Sequence, residues 1–259
     1  MENARLAGTG LTDDAILGGR LRLKQPRHGH RFGHDAVLLA AATAAVAGDH
    51  VVELGAGVGA AGLALAARVP GVTVTLVEVE AELADLGAEN ARRNALADRV
   101  RVVALDVAAP ARAFAKAGLR AASAAHVMMN PPFNDPRRQN VSPDPRRRLA
   151  HEAALPLSAW TQSASRLLAS RGVLTLIWRA DGLADVLAAL GPAFGTIAVL
   201  LVHPRPDAAA IRVIVRAEKG GAGALSVLPG FFLNDNVGGP TEAAETVLRQ
   251  AKSLPLAAN

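Results

Sequence analysis

From Val51 onward the chain alternates between short, unbroken apolar runs and longer Ala/Leu-rich stretches whose polar residues recur at helical spacing. The runs predict strands at 51–54, 73–78, 100–105, 125–129, 172–178, 196–202 and 211–216. The stretches between them predict helices at 60–68, 81–95, 108–117, 156–169 and 182–190. Several of the strands have no polar face, as expected of central strands covered on both sides. Strand and helix alternate over about 165 residues, which predicts an open α/β sheet with right-handed crossovers and helices on both faces.

The flanks read differently. Residues 1–34 form an extension, in which Ala15–Leu17 and Leu21–Leu23 flank Gly18–Gly19 and predict a hairpin. A polar, Gly-rich loop follows, and Asp35 is placed to cap an apolar helix over Ala36–Ala47. The core is expected over 35–217. The segment 218–259 opens on a Gly-rich stretch, continues through an apolar piece, Leu225–Leu233, and predicts a terminal helix near Thr241–Ala251. Asn134–Arg148 has neither period and reads as a long loop of the kind that often carries function.

Composition narrows the chemistry. The chain has no Cys, which excludes a disulfide scaffold, a Cys-ligated metal and a thiol nucleophile. The net charge of +5 comes from 28 basic against 23 acidic residues, an excess that permits a polyanionic partner. No apolar run approaches the ~20 residues of a membrane span, and the N-terminal segment lacks the apolar stretch of a secretory signal. A soluble cytoplasmic protein with no membrane partner is the expectation.

Four features carry candidate chemistry. In VVELGAGVGAAGLALA (51–66) a strand runs into Gly55, Gly57 and Gly59 and then a helix. Such a turn admits a ligand close to the backbone and to free helix N–H groups. It also serves simply to pack a helix tightly on a sheet. Glu53 before the first Gly disfavours a pyrophosphate and suits a cationic ligand. Glu78 ends the next strand, where an acid that accepts ribose hydroxyls is expected, or a solvated acid like its neighbours Glu80 and Glu82. Asp106 closes the third strand, as an acceptor for an adenine amine or as a helix cap. Finally, Asn130-Pro131-Pro132-Phe133 follows the strand AAHVMM. Two prolines stiffen the turn and leave carbonyls free. Asn130 adds an amide oxygen and Phe133 a ring face, so the four suit a planar amine better than a plain rigid loop.

With these residues the chain resembles the class I, S-adenosylmethionine-dependent methyltransferases that carry an Asn-Pro-Pro-aromatic motif. More closely it resembles the bacterial valine-tRNA adenine-37 N6-methyltransferase family. The further likeness lies in residues 12–42, in RRRLAHEA (146–153) and in 202–221. The resemblance implies a Rossmann-like, seven-stranded sheet, S-adenosyl-L-methionine as cofactor and tRNA as substrate. It implies that Asp35, Glu53, Gly55, Gly57 and Gly59 face the methionine and ribose parts of the cofactor. Glu78 would hold the ribose hydroxyls and Asp106 the adenine. Asn130 would lie beside the cofactor and, with the Pro131 carbonyl, hold the target amine on the stiff Pro131-Pro132 turn. Phe133 would stack on the base. Many amine-methylating members have Tyr where this chain has Phe133, whereas guanine-N2 methyltransferases of ribosomal RNA often carry Phe.

Two basic clusters are candidate contacts for RNA: Arg20, Arg22, Lys24, Arg27 and Arg31, and then Arg137, Arg138 and Arg146–Arg148. Each reads alternatively as solvated surface. His28, His30 and His34 lack carboxylate partners at ligand spacing, so no metal is expected. Trp160 and Trp178 fit core positions. The competing functions are guanine-N2 methylation of ribosomal RNA, glutamine methylation of release factors, and RNA binding without catalysis.

Overall fold

The computed structural model describes residues 10–28, 31–132 and 155–257. A two-stranded antiparallel hairpin, β1 (Leu11–Ile16) and β2 (Leu21–Pro26), precedes the main sheet. Its turn runs through Gly18 and Gly19 at φ +64° and +89°, a left-handed conformation that glycine adopts without Cβ strain. The hairpin is longer than the predicted one and pairs along its full length.

The core alternates as expected. Its elements are α1 (His34–Ala42), β3 (His50–Leu54), α2 (Ala60–Arg68), β4 (Thr73–Glu78), α3 (Ala81–Arg93), β5 (Val100–Ala104), α4 (Ala111–Lys116) and β6 (Ala124–Met129). After the gap come α5 (Leu157–Leu167), β7 (Leu168–Arg179), α6 (Leu183–Leu190), β8 (Phe194–His203) and β9 (Arg212–Lys219). The predicted seven strands are all present. Two short ones, β10 (Ser226–Val227) and β11 (Phe231–Phe232), arise from the apolar piece near 225–233 and pair with β8. The last α-helix among the described residues is α7 (Glu242–Leu248), whose N-cap Thr241 accepts the Ala244 N–H.

The sheet runs β10-β8-β9-β7-β6-β3-β4-β5. From β7 to β5 the strands are parallel, and β9 lies antiparallel between β7 and β8. Strand order reverses at β3, with β4 on one side and β6 on the other, which opens a crevice at their carboxyl ends.

Side chains alternate across each strand and feed two cores. Val51, Leu76 and Met128 face α1, α2 and the hairpin, while Val52, Leu54, Val77 and Met129 face α5 and α6. Burying each such Leu or Val contributes roughly 1.5–3 kcal/mol. Leu254 and Leu256, near the C-terminus, are buried on the first core, and the Leu254 N–H donates to the Ala41 carbonyl at 2.8 Å.

Element ends depart from the sequence reading for local reasons. Helix α1 stops at Ala42 instead of residue 47, because Thr43 turns extended and Arg68 binds the Ala40 and Thr43 carbonyls at 2.9 and 2.6 Å. Helix α4 starts at Ala111, after Pro110, whose fixed φ suits a helix start. Strand β7 follows α5 with no linker and is much longer than the predicted 172–178.

Candidate active site

The register sets the site. Leu54 pairs with Met129 on one side and with Val77 on the other, and Glu78 pairs with Ala104. Gly55, Glu78 and Asn130 therefore emerge side by side at the carboxyl edge of β3, β4 and β6, with Asp106 just beyond β5.

Glu53 is 4% exposed and points to the same face as Val51, toward α2. Its Oε2 accepts the Gly62 N–H at 2.8 Å. This supplies a partner for one of the donors that a helix leaves open in its first turn. Burial pushes the Glu53 carboxyl up to about 8; the Gly62 N–H opposes the rise and the nearby Glu78 carboxylate adds to it. Gly62 is where strand and helix touch: a Cβ there would collide with Leu76 and come within 2.7 Å of Glu53 Oε2.

The three glycines of the turn do different work. Gly55, Gly57 and Gly59 all have positive φ, at +70°, +55° and +85°. A Cβ on Gly55 would meet the Trp160 ring at 2.7 Å, and one on Gly59 would meet Leu76 at 2.7 Å, so these two let the turn pack down. Gly57 alone has nothing within 4 Å of its Cβ position, so it faces open space. Trp160, buried under Gly55, is core as expected.

Glu78 is 6% exposed and pins this turn. Its Oε2 accepts the Gly57 N–H at 2.7 Å and its Oε1 accepts the Glu80 N–H at 3.0 Å. Each carboxylate oxygen retains acceptor capacity for a hydroxyl. The reading of Glu78 as a merely solvated acid does not hold. Asp106 is exposed, and its Oδ1 accepts the Ala108 N–H at 2.8 Å. It closes a turn rather than capping α4.

Asp35 also departs from its expected local role. Gly33 is the N-cap of α1, without a side-chain bond, and Asp35 sits in the first turn. Its Oδ2 accepts from Arg212 Nε at 2.7 Å, a partner from the start of β9. Arg212 lies opposite Arg179 and Val202 at the same edge of the sheet as Asn130.

Asn130 follows β6, with Pro131 buried and Pro132 exposed. The Asn130 Oδ1 is buried and finds no donor among the described residues. Such an orphan acceptor costs about 1–3 kcal/mol, and a bound donor relieves it. Phe133 and the second basic cluster lie outside the described residues.

Three of the five cations of the first basic cluster are paired with acids, and one of those acids, Asp13, also binds Arg93 at 2.7 Å. Arg22 pairs with Asp13, Lys24 with Glu89 and Arg31 with Asp14, at 3.5, 2.6 and 2.9 Å. No acid lies within the cluster itself; its partners come from β1 and α3. Among the described residues no group of three His, Asp or Glu can hold a metal ion, and no helix is long and apolar enough to cross a membrane.

The residues fit a cofactor that carries a ribose. The open space above Gly57, the buried Glu78 carboxylate and Asn130 lie at one edge of the sheet, and the Glu53 carboxyl lies below the turn on the α2 side. Two residues in this constellation escaped sequence reasoning. Gly62 hides inside a helix pattern. Asn90, wholly buried, binds the Val58 carbonyl of the turn at 3.1 Å. Its signal was a polar residue on the buried face of the amphipathic helix 81–93.

A family model described as the methyltransferase small domain matches residues 32–205. A tRNA1(Val) (adenine(37)-N6)-methyltransferase from Porphyromonas gingivalis is 32% identical over 161 residues, 60% of this chain and 61% of that protein. A release factor glutamine methyltransferase from Chlorobaculum tepidum is 29% identical over 166 residues, 61% of this chain and 54% of that protein. The aligned part thus spans less than two thirds of these curated relatives. A solved structure from Agrobacterium tumefaciens, described as a predicted O-methyltransferase, superposes with a TM-score of 0.73 at 30% identity, covering 85% of this chain and 98% of that one.

Proposed function

The chain belongs to the methyltransferase small domain family, and we propose that it methylates the exocyclic amine of an RNA base, adenine N6 at position 37 of a valine tRNA. The observation that carries this reading is the buried Oδ1 of Asn130, without a donor among the described residues, on the strand next to the Gly55–Gly59 turn. An amine hydrogen is the donor that oxygen lacks.

S-adenosylmethionine supplies an electrophilic methyl group on a positively charged sulfur. Glu78 holds the ribose hydroxyls with the lone pairs left over from its two backbone bonds. The open face of Gly57 admits the ligand against the backbone, and Glu53 contributes a buried carboxyl below the turn. Asp106, exposed beyond β5, offers its carboxylate to the adenine amine, and Asp35 borders the methionine end.

An exocyclic amine is a poor nucleophile because its lone pair is delocalised into the ring. Asn130 Oδ1 and the Pro131 carbonyl each accept one of its hydrogens and favour a pyramidal nitrogen with its lone pair free. Positioning of this kind supplies much of the rate without a strong base, and the nitrogen, cationic once it carries the methyl group, releases one of its protons to water. The target base leaves its stack to reach the site, and Phe133 is the ring the sequence offers for stacking on it, a contact worth roughly 1–3 kcal/mol.

Two other substrates share the chemistry. A glutamine side-chain amide poses the same nucleophile problem, and the Chlorobaculum relative acts in its name on release factors. A guanine N2 amine is the substrate that Phe133 favours. The deciding experiment incubates the protein with labelled S-adenosylmethionine and separate tRNA, ribosomal RNA and protein pools, followed by nucleoside mass spectrometry. N6-methyladenosine in tRNA is expected. N2-methylguanosine or labelled protein would overturn the assignment.

A further inference from the structure

Two asparagines one turn apart on α3 hold the N-terminal hairpin. Asn90 Oδ1 accepts the Lys24 N–H at 2.8 Å, and its Nδ2 donates to the Lys24 carbonyl at 2.9 Å. Asn94 does the same for Arg22, at 3.0 and 2.9 Å. Each side-chain amide stands in for the peptide of a neighbouring strand. The match is geometric: four helical residues advance about 6 Å, close to the ~6.7 Å that two strand residues advance.

The two differ in where the remaining amide hydrogen goes. Asn94 donates it to the Asn90 carbonyl of its own helix at 2.8 Å. Asn90 donates it to the Val58 carbonyl at 3.1 Å, between Gly57 and Gly59. Asn90 is 0% exposed, so both of its hydrogens are spent inside the protein. Backbone bonds from the Gly55 and Ala56 N–H groups to the Val77 carbonyl fix the start of the turn, and beyond Asn90 the side-chain hold on its middle is the bond from the Gly57 N–H to Glu78. Glu78 must share its oxygens with a ribose, whereas Asn90 meets no ligand.

We infer that Asn90 is a positioning residue: it ties the Gly55–Gly59 turn to α3 and β2 and so fixes the surface on which the cofactor lies. This rests on the reading of that turn as the S-adenosylmethionine site. Asn94 provides the internal control, because it seats the hairpin in the same way without touching the turn.

The test compares Asn90→Ser with Asn94→Ser in the full chain. S-adenosylhomocysteine is titrated by calorimetry, and backbone hydrogen exchange is followed across residues 55–63 in the free proteins. Both variants are expected to lower the thermal midpoint. Only Asn90→Ser weakens ligand binding, by ten-fold or more, and speeds exchange in the turn by a similar factor, while Asn94→Ser stays within two-fold of the parent on both. Unchanged binding and exchange in Asn90→Ser would overturn the inference, as would equal losses in the two variants. If Asn90→Ser does not fold, Asn90→Asp is judged against Asn94→Asp by the same criteria: each keeps an acceptor for the hairpin N–H and loses its amide donors, and only Asn90→Asp loses the donor to Val58. A parent protein that binds no S-adenosylhomocysteine would remove the cofactor reading, and the exchange comparison would still decide whether Asn90 holds the turn.

Discussion

The Glu53 carboxyl accepts the Gly62 N–H at 2.8 Å from a position only 4% exposed, joining the end of β3 to the first turn of α2. Burial outweighs that bond and raises the group to about 8, from an ordinary value of 4.5. The folded protein therefore holds a proton that the unfolded chain releases between those values. Stability contributed by the protonated form is fully present below about 4.5 and is lost as pH rises through about 8. Glu53→Gln keeps an acceptor for Gly62 and cannot ionise. The parent should lose stability relative to this variant across that window, by at most about 1.4 kcal/mol per pH unit. Urea unfolding of the two ligand-free proteins at several pH values measures it. Parallel pH profiles would contradict the assignment.

Gly57 and Gly62 should separate binding from folding. Gly62→Ala drives a methyl group into Leu76 and Glu53, so it should destabilise the protein by about 1–3 kcal/mol. Gly57→Ala meets no atom within 4 Å and suffers only from its φ of +55°, about 1–2 kcal/mol. Its methyl group occupies the space offered to the ligand, so affinity for S-adenosylhomocysteine should fall by more than ten-fold. The comparison needs denaturant melts and calorimetry on both variants. Gly57→Ala binding with parental affinity would place the ligand elsewhere.

Much of this site was legible in the sequence because it depends on chain order. Unbroken apolar runs gave the parallel strands, and the glycines and acids fell at the strand ends where a ligand crevice forms. What escaped depends on distant partners. Asp35 looked like a cap because nothing local shows that Arg212 will bind it, 177 residues away. The cationic residues of the hairpin looked unpaired because Asp13 and Asp14 are on the facing strand and Glu89 is on α3. Asp106 looked like a cap for a helix that Pro110 starts instead. Asn90 gave only the hint of a polar residue on an apolar face.

The Arg212–Asp35 pair should couple β9 to α1. The two side chains are 29% and 23% exposed and meet at 2.7 Å, a more protected geometry than a typical surface pair. Asp35 also lies in the first turn of α1, where a carboxylate is favoured by about 0.3–1 kcal/mol. A double-mutant cycle with Asp35→Asn and Arg212→Gln should give a coupling of about 1 kcal/mol, near the top of the range for exposed pairs. Additive effects of the two substitutions would show that the bond contributes nothing to stability.

The hairpin cations should matter to folding more than to RNA. Arg22, Lys24 and Arg31 already face carboxylates, so a phosphate would have to displace them. Each phosphate contact on single-stranded RNA contributes roughly −0.7 to the log–log salt slope of binding. Arg31→Gln should leave that slope unchanged while lowering the unfolding midpoint. A slope reduced by a full contact would show that the cluster meets RNA after all.

Asn130 should behave as a residue selected for the reaction at the expense of the fold. Its Oδ1 is buried and no donor among the described residues compensates its desolvation. Asn130→Ala removes the orphan oxygen and leaves Pro131 and the strand before it untouched. The variant should be at least as stable as the parent, by up to about 1 kcal/mol, because active sites commonly trade stability for function. Turnover should fall by about a hundred-fold or more, the scale of losing one acceptor or donor aimed at a reacting group. Affinity for S-adenosylhomocysteine should change by only a few-fold, since the Gly55–Gly59 turn and Glu78 keep their own bonds. Thermal melts, calorimetry and single-turnover methylation on one preparation separate these effects. If stability and ligand binding fall together with activity, Asn130 is a structural residue and the amine-holding role is wrong.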